Sequence, residues 1–184
     1  SEKFPFQVMQ IDTGFKFKKT YEYIDKYSQK WHLPFLRYQN KEAIDQGINP
    51  FDYGRLVCCQ KLKTEALKKA IEEYKFDAVI TAIRRDEHSA RSEERFFSPR
   101  KNPFHCRIHP LLDWTEDDIW QYLKENGIPL NPLYQPKNGL IYRSLGCWPC
   151  TKPVKISQTK KNERAGREKE KEEIMEKLRR LGYF

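Results

Sequence analysis

The sequence has no apolar run approaching the roughly 20 residues that a helix needs to span a bilayer. No stretch of it reads as a signal peptide, and no internal repeat is visible. Of its 184 residues only 8 are glycine and 4 are histidine. His105 and His109 alternate on a strand-like stretch with no acidic partner in sequence, so no metal site is read there, and His88 reads as a solvated loop residue. Cysteine is limited to Cys58, Cys59, Cys106, Cys147 and Cys150, which suits metal binding or redox work in a reducing compartment better than a disulfide framework. These absences exclude a membrane span, a repeat array and a disulfide-stapled secreted domain. They set the expectation of a soluble, cytoplasmic protein.

Positive charge is in excess, with 35 Lys and Arg against 26 Asp and Glu, a net +9 that sits largely beyond Lys137. Such a balance favours anionic partners: nucleotides, sulfate or nucleic acid. Aromatic residues at 14% beside 33% charged residues mark a folded chain with a charged surface. The length fits one domain with a real core, or a domain and a tail. Residues 1–134 read as an α/β nucleotide-binding domain, N-terminally incomplete, and 135–184 as a cysteine loop followed by a charged helix.

The stretch from Asp77 to Ser98 organises the rest. Ala78 to Ile83 has the length and β-branching of a strand buried on both faces. It stops at Arg84-Arg85-Asp86-Glu87, with Arg91 and Arg95 following. Ligands of open parallel sheets bind beyond the carboxyl ends of the strands, and guanidinium forks placed there suit a doubly charged oxyanion.

Elsewhere, Phe6 to Ile11 is a strand running into the turn Asp12-Thr13-Gly14, a nucleotide-edge geometry. Phe17 to Trp31 is a helix whose aromatics, Tyr21, Tyr27 and Trp31, read as core. Pro34 to Tyr38 is a strand, and Cys58 to Tyr74 a helix with the stripe Leu62, Leu67, Ala70 and Ile71. Arg107 to Leu111 is a strand. Thr115 with an acid three places on opens the helix Glu116 to Asn126, and Gly127 closes it. Asn162 to Leu181 is a charged helix. Strands alternating with helices predict a parallel sheet covered on both sides, an α/β three-layer fold.

Cys147-Trp148-Pro149-Cys150 forms a C-x-x-C loop, and Cys58-Cys59 is placed at the start of a helix, whose dipole favours thiolates. Four thiolates hold either a tetrahedral zinc or a [4Fe–4S] cluster; adjacent cysteines diverge, which suits the separate irons of a cluster. Cys106 reads as packing. Lys152, Lys155, Arg164 and Arg167 are placed to close over an anionic ligand.

Asp12-Thr13-Gly14-Phe15-Lys16-Phe17, Lys63-Thr64-Glu65-Ala66-Leu67-Lys68, the Arg84 to Arg91 block, Glu94-Arg95-Phe96-Phe97-Ser98 and Pro110 with Trp114-Thr115-Glu116 resemble the PP-loop adenylyl-sulfate family. The likeness is greatest to its sulfate adenylyltransferase small-subunit branch. The cysteine pattern and Glu163-Arg164-Ala165-Gly166-Arg167 are similar to its iron–sulfur reductase branch. The resemblance implies an adenine nucleotide α-hydrolase-like fold. The family's first strand and Ser-Gly-Gly phosphate loop are lacking in this sequence, and no cysteine follows Cys150.

It further implies that Asp12, Thr13 and Gly14 hold the adenosine side. Arg84, Arg85 and Arg91 would neutralise sulfate or phosphate oxygens, with Asp86 orienting them. Mg2+ would enter with ATP. Three activities follow from it: transfer of an adenylyl group from ATP to sulfate with a GTPase large subunit as partner, reduction of adenylyl sulfate with thioredoxin as donor, or sulfur transfer on nucleic acid.

Overall fold

The computed structural model describes residues 5–158 and 163–182. Its elements are β1 (Val8–Ile11), α1 (Lys18–Lys30), β2 (Phe35–Tyr38), α2 (Lys41–Asp45), α3 (Gly54–Cys59), α4 (Ala66–Tyr74) and β3 (Ala78–Ile80). After these come β4 (Phe97–Lys101), β5 (Phe104–Ile108), α5 (Glu116–Glu125), β6 (Leu140–Ile141), β7 (Val154–Lys155), α6 (Lys169–Glu173) and α7 (Met175–Arg180). No described helix is long and apolar enough to cross a membrane.

β1 and β2 pair in parallel, Val8 opposite Phe35 and Ile11 opposite Tyr38, with α1 as the crossover. β3 and β5 pair in parallel as well, Ala78 opposite Cys106. These are the parallel units that the strand–helix alternation predicts. β4 is an addition: it pairs antiparallel with β5 through a tight turn at Asn102 and Pro103, making the order β3-β5-β4. Arg107 lies within β5, not at its start, because the strand begins at Phe104. Among the described residues β1 pairs only with β2 and β3 only with β5, so one edge of each is open.

The strand after Asp77 is not buried on both faces. Ile80, Phe97 and Phe104 lie exposed on the outer face of this sheet, whereas His105 and Arg107 alternate inward. The aromatics of α1 also differ from a core reading, since no residue of that helix is fully buried and Trp31 is exposed. They pack on one another instead as tilted pairs, Tyr23 against Tyr27 at 4.8 Å and Tyr27 against Trp31 at 5.1 Å between ring centroids.

The helix expected from Cys58 begins earlier, at Gly54, and passes through a π-helical segment, Gln60–Glu65, before α4. Of its stripe, Leu62, Ala70 and Ile71 are buried, while Leu67 is half-buried and borders a cavity; Ala66, outside the expected stripe, is buried in its place. One cluster gathers Cys58, Leu62, Ala43 and Ile48; a second gathers Cys59, Ala90, Met175 and Leu178. Each fully buried Leu contributes about 1.5–3 kcal/mol. The charged C-terminal helix is two short ones broken at Ile174; its expected start, Asn162, lies outside the described residues. The capping box at Thr115 forms as predicted, Asp118 N–H donating to Thr115 Oγ1 and Thr115 N–H to Asp118 Oδ2.

Candidate functional site

Where β1 and β3 end, Ile11, Thr81 and Ile83 border a cavity of about 360 Å3. Six cationic side chains line it: Lys16 after β1, Lys63 from the π-helical segment, Arg91, Arg107 from β5, Arg164 and Arg167. Glu87 is the only carboxylate residue among its described lining. A π-helical turn at a functional site is a recurrent arrangement. A second cavity of about 1010 Å3 adjoins it through Glu87 and Arg164; it presents Trp120, Ile141 and Ile156 beside Arg143 and, with Glu87, the carboxylates Asp86, Glu116, Asp117, Glu163 and Glu172.

The predicted arginines divide. Arg91 lines the smaller cavity and is ion-paired with Glu87. Arg84 is buried, its Nε 2.9 Å from Asp86 Oδ1 and its Nη2 2.6 Å from Glu163 Oε2. Arg85 pairs with Asp113 and donates to the Glu94 carbonyl at 2.9 Å. Neither Arg84 nor Arg85 lines either cavity. A buried guanidinium takes the nearest carboxylates, and here those bind the arginine loop to the segment around Glu163. Asp86 also accepts the Glu116 N–H at 2.9 Å, joining this loop to the start of α5. Arg95 is exposed.

Asp12 and Thr13 are buried. Asp12 Oδ1 accepts from Gly14 N–H and Tyr21 O–H, and Oδ2 from Gln39 Nε2. Thr13 Oγ1 lies 3.3 Å from Cys147 Sγ, and Trp148 N–H donates to the Phe15 carbonyl at 2.8 Å. The turn after β1 is thereby bonded to the C-x-x-C loop. On its other side, Glu168 N–H donates to the Cys150 carbonyl and Lys152 N–H to the Gly166 carbonyl. Lys152 and Lys155 are exposed, Lys152 bordering a separate recess of about 300 Å3. Arg164 is held by Glu172 through Nε and Nη2, each at 2.7 Å.

Cys58, Cys59, Cys147 and Cys150 are all buried and reduced, while Cys106 is half-buried. The expected helix-start placement of Cys58 and Cys59 is corrected: they close α3, so no N-terminal dipole acts on them. Burial, and then the neighbouring Cys59, push the Cys58 thiol up to about 12. Burial likewise carries Cys150 to about 11. Cys147 behaves differently. Burial raises it, but the Lys63 and Lys16 ammonium groups and the Thr13 hydroxyl outweigh that and bring it to about 7. Cys58 feels the charges of the other three, so the four thiols share one neighbourhood. Among the described residues no three Cys, His, Asp or Glu side chains are close enough to share a single metal ion.

Sequence reasoning missed Lys16, Lys63 and Arg107 as lining groups. The signal for Arg107 was there: the alternation of His105, Arg107 and His109 puts three cationic or polar side chains on the inward face of one strand.

The phosphoadenosine phosphosulfate reductase domain family matches residues 1–153. A sulfate adenylyltransferase subunit 2 of Bacteroides fragilis is 32% identical over 99% of this chain and 82% of its own length. Its namesake in Sulfurimonas denitrificans is 33% identical over the same shares. Each match spans 248 positions against the 184 residues here, so those relatives carry interior segments with no counterpart in this chain. Among solved structures, the phosphoadenylyl-sulfate reductase of Candida auris superposes with a TM-score of 0.63 at 22% identity, over 82% of this chain and 72% of that one. The FMN adenylyltransferase of Candida glabrata gives 0.58 at 21%, over 82% and 46%. The fold is the PP-loop-like α/β fold that these neighbours share.

Proposed function

The chain belongs to the phosphoadenosine phosphosulfate reductase domain family, and from that premise we propose that it is an adenylyltransferase-type enzyme of sulfate activation. A sulfate oxygen attacks the α-phosphorus of ATP, adenylyl sulfate forms and pyrophosphate leaves. The observation that carries this reading is the cavity into which Lys16, Lys63, Arg91, Arg107, Arg164 and Arg167 converge beyond β1 and β3.

Such a reaction asks little covalent chemistry of the protein; positioning and charge neutralisation do the work. Lys16, Lys63 and Arg107 offset the charge of the oxyanion. Arg91 and Arg164 are already oriented by Glu87 and Glu172. The adjoining larger cavity, with Trp120 and Ile141, takes the nucleoside, and Mg2+ enters with ATP. Asp12 orders the turn that carries Lys16, since its two oxygens are engaged by Gly14, Tyr21 and Gln39. The relatives are named as a second subunit, which supports a larger partner subunit; the resemblance makes it a GTPase.

The four buried thiols favour a cofactor and, with it, a second reading. Cys58 and Cys59 pack into different apolar clusters, and the four thiols as placed do not converge on one zinc ion. Of the two groups that four thiolates can hold, a [4Fe–4S] cluster, whose irons each take one thiolate, is the one proposed. Bound there, the group would supply a charged, redox-capable anchor for the C-x-x-C loop. The second reading is a thioredoxin-dependent reductase of adenylyl sulfate.

Sulfate-dependent exchange of labelled pyrophosphate into ATP, measured with and without the partner subunit, tests the first reading. Sulfite release from adenylyl sulfate with reduced thioredoxin, and no exchange, would replace it with the second.

A further inference from the structure

A second cationic recess, of about 240 Å3, lies on the other side of Arg107, between the β4–β5 hairpin, α4 and the end of α7. We propose that it is a separate binding site for a tetrahedral oxyanion of the phosphate or sulfate type. No Asp or Glu is among its described lining.

Local structure explains how the charges gather. In the hairpin register Arg100 faces His105 and Ser98 faces Arg107, so Arg100, His105 and Arg107 share the inward face. Lys101 precedes the turn, Lys68 reaches in from α4, and Arg180 closes α7.

The charges are only partly matched. Arg100 is met by Glu94 at 3.0 Å, and Arg180 by Glu176 at 3.9 Å. Arg179, also in the wall, meets Glu94 and Glu93 at 3.5 Å. Lys68 and Lys101 have no ion-pair partner among the described residues. Arg107, 2% exposed, donates Nη2 to the Gly182 carbonyl at 2.8 Å, and its Nε and Nη1 have no hydrogen-bond partner among the described residues. His105, 3% exposed, lies with Nδ1 2.7 Å from the Pro103 carbonyl, and its Nε2 has no hydrogen-bond partner among the described residues.

Leaving a buried guanidinium unpaired is costly; a bound dianion removes that cost. The recess is smaller than the roughly 300–1,000 Å3 of a drug-sized ligand pocket, which fits an inorganic oxyanion or the phosphate end of a small molecule. Because Arg107 also lines the cavity beyond β1 and β3, the two sites share one guanidinium as their dividing wall. The inference stands on this recess alone and does not depend on which reaction the neighbouring cavity performs.

Calorimetric titration with inorganic phosphate, at ionic strength matched with chloride, tests it. The wild-type chain is expected to show two classes of site. Lys68→Ala with Lys101→Ala should weaken one class at least about tenfold and leave the other; Lys16→Ala with Lys63→Ala should do the reverse. Both lysines of the first pair are partly exposed, so the fold should survive, and an unchanged urea midpoint checks that. Equal losses for phosphate and adenosine 5′-phosphate support a site for a phosphate end; loss for phosphate alone supports a free ion. A single class of site that the Lys68 and Lys101 changes abolish still supports the recess; phosphate affinity untouched by those changes overturns the proposal. So does a single-stranded oligonucleotide that binds through Lys68 and Lys101 and is not displaced by phosphate.

Discussion

The Nζ of Lys171 in α6 lies 2.7 Å from the Sγ of Cys59 at the end of α3, and both side chains are almost wholly buried. This contact, with Arg55 held by Glu168, fixes the C-terminal helices to the helix that carries the vicinal cysteines. Cys59→Ala removes a buried acceptor from an ammonium group. It should cost about 1–3 kcal/mol of stability, and Cys59→Ser, which keeps an acceptor, less. Urea midpoints of the two variants decide this; equal losses would mean that the sulfur only fills space.

Two glycines make opposite predictions. A Cβ on Gly146 would meet the Arg167 guanidinium at 2.5 to 2.7 Å, whereas one on Gly166 would meet the Lys152 carbonyl oxygen at 2.2 Å. A side chain yields and a backbone does not. Gly146→Ala should therefore leave stability nearly intact but displace Arg167 and weaken anion binding. Gly166→Ala should cost on the order of 1–3 kcal/mol, as overpacking does. Thermal unfolding and phosphate titration of both variants separate these outcomes.

The Glu172–Arg164 pair sets an acid limit. Burial raises the Glu172 carboxyl, but the hydrogen bonds and charge of Arg164 outweigh it and hold the group below its ordinary value. A carboxyl depressed on folding contributes stability above its unfolded pKa of about 4.3 and loses it as pH falls through the folded value. Glu172→Gln should therefore be less stable than wild type at neutral pH, and its stability should fall less steeply below about pH 4. Urea unfolding at a series of pH values measures the slope; an unchanged acid limb would remove Glu172 from the account.

The four thiols yield a test by metal removal. If Cys58, Cys59, Cys147 and Cys150 hold a [4Fe–4S] cluster, anaerobically purified protein should carry about four irons per chain and a broad visible absorption. Chelation after oxidation should abolish that absorption and destabilise the contact region around Cys59 and Lys171. Protein that is colourless and free of both iron and zinc, even when prepared without air, would leave the thiols as packing.

What the sequence disclosed followed its periodicities. The Leu62 to Ile71 stripe and the Thr115 capping box depend on local spacing; the box formed where expected, and the stripe did at Leu62, Ala70 and Ile71 but not at Leu67. The strand after Asp77 was legible, but not its open outer face, because burial depends on what packs there and not on the run itself. β4 was missed because Phe97-Ser98-Pro99-Arg100-Lys101 carries a proline and two cations, and only pairing with β5 makes it a strand. The site was half legible: the arginine-rich stretch marks the place. Spacing could not tell that Glu163, 79 residues beyond Arg84 in the chain, claims the latter, or that Lys16 and Lys63 reach the cavity.

That division gives the sharpest prediction for the site. Arg84 is buried between Asp86 and Glu163, and Arg85 is engaged by Asp113, so neither is oriented by a ligand. Breaking a buried ion pair from one side costs about 3–5 kcal/mol. Arg84→Gln should therefore act mainly on stability, with anion affinity falling less than tenfold in the protein that remains folded. Lys16→Ala or Lys63→Ala removes a cation that faces the cavity; a charge-assisted hydrogen bond of about 1.5–3 kcal/mol predicts roughly 10- to 100-fold weaker binding with little change in stability. Nucleotide and sulfate titrations beside urea midpoints place each variant on the two axes. Should Arg84→Gln lose affinity at unchanged stability while Lys16→Ala does neither, the oxyanion sits against the arginine loop itself and the cavity beyond β1 and β3 is not its site.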